Sequence, residues 1–225
     1  RVFEAEMKKI ISTKSVIRYI LTSFTFIKAV LFFLVFIAAA IYAFFTAYPW
    51  LSVVSVFVMV TLFVLFQFKI FPVSKVIEKA YDKFLYNNAT LSQLLDQKPR
   101  LAIGSTNIQT NRPFTFSKDK MEDVTYTYMK PPVLFKSEKF PLSRAVMASS
   151  CVPFAFTPVG ISSEFYANEN DINKVLPVLV DGGVYDNQGI HKITQRHSSY
   201  ECDIIITSDA GNKSPFKKSY NNVIV

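Results

Sequence analysis

Between Lys28 and Lys69 the chain carries no charge: Ala29 to Phe68 is an unbroken run of forty uncharged, mostly apolar positions. As α-helix at about 1.5 Å per residue the run would extend roughly 60 Å, twice the roughly 30 Å hydrocarbon core of a bilayer. Two spans are needed to use it. Pro49-Trp50 stands midway, with Tyr48 beside it; a proline ends a helix, and aromatic rings with a polar tip favour the membrane–water interface. The run predicts a transmembrane helical hairpin, Ala29–Tyr48 and Leu51–Phe68, with a tight outer turn. A signal peptide would need an apolar stretch of only about 7–15 residues near a true N-terminus. A buried helical pair in a soluble core would be expected to show a charged or polar stripe, and none is visible.

The net charge of +8 flanks this run. Residues 1–28 carry six basic and two acidic side chains, and residues 69–100 carry six and three. The rest of the chain is nearly neutral, whereas a nucleic-acid domain would hold its basic excess on the folded part; no nucleic-acid partner is expected. Lys8, Lys9, Lys14, Arg18 and Lys28 precede the hairpin, Lys69, Lys75, Lys79 and Lys83 follow it, and the turn has no Lys or Arg. Both ends are therefore expected on the cytoplasmic side of a multi-pass membrane protein. Two unpatterned cysteines, Cys151 and Cys202, suit a reducing compartment or two buried thiols. The expected organisation is a basic flank at 1–28, read as the end of an upstream segment, the hairpin at 29–68, and a soluble portion at 69–225.

After the hairpin the pattern changes. Val73–Tyr86 predicts an amphipathic helix, Thr90-Leu-Ser-Gln93 a capping box, and Pro141 followed by Leu142–Ser150 a third helix. Arg100–Gly104, Phe114–Phe116, Val124–Tyr128, Pro177–Val180 and Asp203–Thr207 predict strands. Their alternation with helices predicts a mixed or parallel sheet with crossover helices.

Leu179-Val-Asp-Gly-Gly-Val-Tyr-Asp-Asn-Gln-Gly189 is the most informative segment. An apolar strand delivers an acid, Asp181, to its C-terminal end, where ligands bind in α/β sheets, and two glycines follow. Asp-Gly is also an everyday turn. Several segments, in order, resemble the patatin-like phospholipase family: Arg100-Leu-Ala-Ile-Gly-Ser-Thr-Asn107 with Arg112-Pro-Phe-Thr-Phe-Ser117, Leu142 to Pro153, Val180-Asp-Gly-Gly-Val-Tyr-Asp-Asn187, and Cys202 to Gly211. The resemblance implies part of a patatin-like three-layer α/β/α acyl hydrolase domain, to which the hairpin is an addition. It implies Asp181 as general base, with Gly182 and Gly183 completing its Asp-Gly-Gly motif, acting on a serine held in a Gly-x-Ser-x-Gly elbow. A serine hydroxyl becomes a nucleophile once a positioned group takes its proton, and a carboxylate serves when partial burial raises its pKa.

Of the six glycines none begins a Gly-x-Ser-x-Gly, and Gly160-Ile-Ser-Ser-Glu164 fails at its fifth position. The chain begins at Arg1 rather than Met, so the serine is expected upstream, in a larger enzyme. Asp209 competes with Asp181 but matches a structural segment. Asp186 and Asn187 suit loop bracing, and Ser149 and Ser150 suit pocket or capping roles. His191 and His197, six apart, do not form metal-ligand spacing. The expectation is a membrane-anchored lipid acyl hydrolase of phospholipase A or lysophospholipase type, with a Ser-Asp dyad, no cofactor and no metal. Its partners would be the membrane and a phospholipid or lysophospholipid substrate; oligomeric state stays open. The alternative is a catalytically silent patatin-like membrane scaffold or lipid-binding protein. A transporter is unsupported, because the spans hold only Thr46, Ser52, Ser55, Thr61 and Gln67 as polar groups.

Overall fold

The computed structural model describes residues 13–95, 100–196, 198 and 200–207, in two compact units that part after Tyr185. The first opens with helix α1 (Thr13–Leu21) and the long apolar helices α2 (Phe24–Phe44) and α3 (Trp50–Ile70). The Ser23 side chain caps α2 by accepting the Phe26 N–H at 3.2 Å. At 21 residues each helix is about 32 Å long, matching a hydrocarbon core of about 30 Å. They pack on each other through Phe33 and Phe63, whose ring centroids are 5.2 Å apart, and through the Ser55 hydroxyl, which donates to the Phe36 carbonyl at 3.2 Å. Little else covers them: Ala29 is the buried residue of α2 and α3 has none. Both are long and apolar enough to cross a membrane. Apart from Ser55, the α3 hydroxyls bond locally, Ser52 donating to the Pro49 carbonyl and Thr61 to that of Phe57.

Phe71 and Pro72 link α3 to α4 (Val73–Tyr81), which runs on into a π turn at Asp82–Tyr86. The Thr90/Gln93 capping box is formed, closing a single 3-10 turn at Leu91–Gln93. Five strands follow: β1 (Ala102–Asn107), β2 (Arg112–Ser117), β3 (Met121–Asp123), β4 (Val159–Gly160) and β5 (Val178–Asp181), in the spatial order β3-β2-β1-β5-β4. Every pairing is antiparallel, which corrects the expected mixed or parallel sheet. The cause lies in the connections. Residues 108–111 and 118–120 are far too short for a parallel crossover, which needs about a dozen residues or more. The longer 161–177 segment holds two 3-10 turns and an isolated bridge at Tyr166, with no crossover helix, and brings β5 back alongside β4.

Val124–Tyr128 is not a strand: after β3 it forms one helical turn, α5 (Val124–Thr127), because the Asp123 carboxylate accepts the Thr125 N–H at 2.8 Å and caps it. Helix α6 (Leu142–Ser149) packs on β1 and β5, with α4 against it. Arg144 clamps this pair: its Nε lies 2.9 Å from Glu78 Oε1, and its guanidinium sits 5.9 Å from the ring centres of Phe140 and Phe165. The core is aromatic, with Phe114, Phe116, Tyr126, Phe135, Phe140, Phe165 and Tyr166 in one cluster. Burying each such ring contributes on the order of 1.5–3 kcal/mol.

Helix α7 (Gly183–Asp186) follows β5, and α8 (His191–Thr194) belongs to the second unit. There the Asp186 carboxylate accepts the His191 N–H at 2.6 Å, as loop bracing requires. Asp203–Thr207, expected as a buried strand, pairs with no strand among the described residues, and Ile204 and Ile206 are exposed. Branched residues favour a strand only where a neighbouring edge supplies the ladder. His197 and Asp209 lie outside the described residues.

Candidate active site

Asp181 is the last residue of β5, half-buried, and pairs across the sheet with Ser105 of β1. Its backbone N–H donates to the Cys151 carbonyl at 2.8 Å, and the next N–H, of Gly182, donates to the Ser149 carbonyl at 3.2 Å. The end of β5 is thus held on one side by β1 and on the other by the exit of α6. One carboxylate oxygen, Oδ1, accepts the Gly183 N–H at 2.7 Å and opens α7. Among the described residues no second hydrogen-bond donor reaches the carboxylate.

The two glycines after Asp181 differ. A Cβ built on Gly182 would stand 2.7 Å from the Gly104 carbonyl oxygen and 3.2 Å from its carbon. Gly182 is therefore glycine because the β1 backbone passes against it, not because its own backbone is left-handed. Gly183 supplies the N–H that the Asp181 side chain holds. Thr106 locks this corner: its hydroxyl accepts the Tyr185 N–H at 3.1 Å and lies 3.4 Å from the Gly182 carbonyl.

Below the corner lies Cys151, fully buried. Its Sγ donates to the Thr157 carbonyl at 3.2 Å and is 3.7 Å from the Ser74 hydroxyl, which donates to the same carbonyl. Burial pushes the thiol's pKa up and the nearby Asp181 carboxylate adds to this, against hydrogen bonds from Ser74 and the Val159 backbone. The thiol is thus a structural group. Of the neighbouring serines, Ser150 donates its hydroxyl to the Val146 carbonyl at 2.9 Å, a cap on α6.

One residue past Thr106, at the end of β1, a buried polar cluster sets the register of β5. Asn107 donates to Asp123 Oδ2 at 2.9 Å and to the Tyr126 hydroxyl at 2.8 Å, and its own Oδ1 lies 3.3 Å from the Val178 N–H. Thr110 adds a 2.6 Å bond to the same Asp123 oxygen, and Tyr126 donates to Gln109 at 2.6 Å. Burial, opposed by the Asn107 hydrogen bond and helped by Asp123, raises the Tyr126 pKa.

The family model of patatin-like phospholipases matches residues 37–192, a segment that begins inside α2 and ends beyond the Asp181 corner. The chain belongs to the patatin-like phospholipase family. Comparisons with curated proteins and with solved structures give no match. As a patatin-like phospholipase it falls among lipid acyl hydrolases, and the matched region contains all five strands, α6 and Asp181. Within this patatin-like domain the structure brings Asp181, Gly182 and Gly183 together with Gly104, Ser105, Thr106, Ser149 and Cys151. Thr106 and the Ser149 and Cys151 carbonyls are the supports that the sequence pattern does not single out. The one signal available was a polar Ser-Thr-Asn run completing an apolar strand.

Proposed function

We propose that this protein is a membrane-anchored lipid acyl hydrolase of phospholipase A or lysophospholipase type. Asp181 is its general base, and a serine supplied N-terminal to Arg1 is the nucleophile. In this reading α2 and α3 span the bilayer with both ends on the cytoplasmic side. Residues 1–28 end an upstream catalytic segment, and residues 69–225 contribute the antiparallel sheet and its helices to a three-layer α/β/α hydrolase. The observation that carries the reading is the Asp181 corner: a half-buried carboxylate at a strand end, one oxygen tied by its own turn and the other open to a donor.

The chemistry needs little more. Oδ2 takes the serine proton as the hydroxyl attacks the ester carbonyl, and the protonated acid returns it to the departing alcohol. Water then repeats the cycle on the acyl-serine. The Gly183 N–H holds Oδ1, so the carboxylate keeps one orientation through both transfers. Asp181→Asn preserves shape and this hydrogen bond but removes the basic oxygen. In the enzyme with its serine, turnover of a phospholipid or lysophospholipid ester should fall about 10²–10⁴-fold, while residues 1–225 alone should give none. Near-normal turnover by Asp181→Asn would reject the base assignment. An intact protein without any ester hydrolysis would favour the silent lipid-binding scaffold.

A further inference from the structure

Between α6 and β4 the chain makes a short loop, residues 150–158, that carries no charge. Its Phe156 N–H donates to the Val152 carbonyl at 3.1 Å, which closes a turn with Phe154 at its tip. Phe154 is 95% exposed and Val152 47%, although Cys151 before them is buried and Phe156 after them packs on the core. Phe154 also has φ of +68°, a conformation that costs energy for a bulky residue and holds only where the surroundings impose it. Among the described residues, this phenylalanine is held in a strained conformation and left almost wholly open to water.

The loop's position says what it meets. Ser74 lies in the first turn of α4, four residues after Ile70 ends α3. Its buried hydroxyl donates to the Thr157 carbonyl and touches Cys151 Sγ, fastening both ends of the loop to the exit of the hairpin. Four residues of chain reach at most about 14 Å, and the interfacial layer of a bilayer is about 5–8 Å deep on each side. Lys69, Lys75 and Lys79, all exposed, line the same exit and complement anionic headgroups. One further bond joins loop to site, since the Cys151 carbonyl holds the Asp181 N–H.

We infer that the loop Val152–Phe156 is an interfacial wedge: Val152 and Phe154 insert into the leaflet from which α3 emerges, setting the Asp181 corner at the depth of the ester bonds. This rests on the membrane hairpin of the preceding section, and deepens that reading by naming where the lipid surface meets the catalytic portion. Phe154 supplies the ring, Val152 the adjoining apolar side chain, and Ser74 is a positioning residue that anchors the wedge to the span.

Tryptophan depth measurement tests it, because Trp50 is the sole tryptophan. The 225-residue chain is reconstituted into phosphatidylcholine vesicles containing phosphatidylserine, with nitroxide-labelled lipids as membrane quenchers and iodide as the aqueous one. Three proteins are compared: the native chain, and Trp50→Phe combined with either Phe154→Trp or Tyr128→Trp. Tyr128, also exposed, follows β3 at the opposite edge of the sheet. The expected result is blue-shifted emission, quenching by shallow nitroxides and protection from iodide for Phe154→Trp, with the reverse for Tyr128→Trp. If lipid quenchers reach Trp50 but not the new residue at 154, the wedge is wrong and the hairpin stands. A blue shift that no lipid quencher diminishes would mean a protein partner covers the loop, which also overturns the proposal. If the quenchers miss Trp50 as well, the hairpin reading fails and the wedge falls with it. None of these signals depends on catalysis, so a loss of hydrolase activity cannot mimic them.

Discussion

Gly182→Ala adds one methyl group at the closest backbone approach in the site. The new Cβ would sit 2.7 Å from the Gly104 carbonyl oxygen, so β1 and the turn after β5 must part by about 0.5 Å to restore contact distance. Overpacking of this kind costs about 1–3 kcal/mol. Replacing a glycine stiffens the unfolded chain and returns about 0.4–1 kcal/mol where the backbone suits alanine, as it does at Gly182, whose φ is not positive. The net loss is roughly 0–2.6 kcal/mol, a factor of up to about 80 in the opening equilibrium. Cys151 reports it. Its thiol is fully buried whereas Cys202 is exposed, so a thiol reagent labels Cys202 at once and Cys151 only when the corner opens. Cys151 labelling should accelerate by that factor in Gly182→Ala. In Gly104→Ala, where the added Cβ meets nothing within 4 Å, it should stay level or slow. Equal labelling rates in the two variants would refute the close-approach account of the glycine. Under the function proposed above, a shift of about 0.5 Å also reaches the tolerance of a catalytic group, so ester hydrolysis should drop alongside.

Asp123→Ala removes the acceptor shared by Asn107, Thr110 and the Thr125 N–H; leaving buried donors unpaired should cost about 1–3 kcal/mol, read as a lower urea midpoint and faster Cys151 labelling. Alkaline pH should destabilise the domain through Tyr166, whose phenol is pushed by burial from 10.0 up to about 12. Between these values the unfolded chain has lost a proton that the folded one keeps, so stability is fully present below pH 10 and declines as pH rises through 12; Tyr166→Phe should flatten that decline in an alkaline melting series.

How much of this was legible in the sequence depends on the kind of order concerned. The apolar run located the hairpin, but its ends moved. α2 begins at Phe24, before Lys28, and α3 continues past Lys69. Charge marks the edge of a hydrocarbon layer, whereas a helix continues until a cap or a proline stops it. Pro49 likewise stands at the start of α3 rather than in mid-turn, as proline suits a first helical turn. Val-Thr-Tyr-Thr-Tyr at 124–128 alternates like a strand, and the Asp123 cap overrides that pattern. Strand direction was illegible because a period of two carries no information about a partner. Asp181 could be placed at a strand end from local pattern alone. The cluster of Asn107, Gln109, Asp123 and Tyr126, and the Ser74 tie across 77 residues to Cys151, join side chains that are individually unremarkable and distant in the chain.

The hold on Asp181 is made by the Cys151 carbonyl accepting its own N–H and the Ser149 carbonyl accepting that of Gly182, and carbonyls belong to every amino acid. An alanine scan through 149–151 would therefore pass over this support of the acid, registering only the cavity left by the Cys151 thiol and the lost Ser150 cap on α6. Changes of chain length would not be forgiven: inserting or deleting a residue between α6 and Pro153 puts a different carbonyl opposite each N–H and turns the carboxylate away. The corner can accept drift in composition while remaining intolerant of drift in spacing, and a library of single-residue indels should expose it where a substitution library does not.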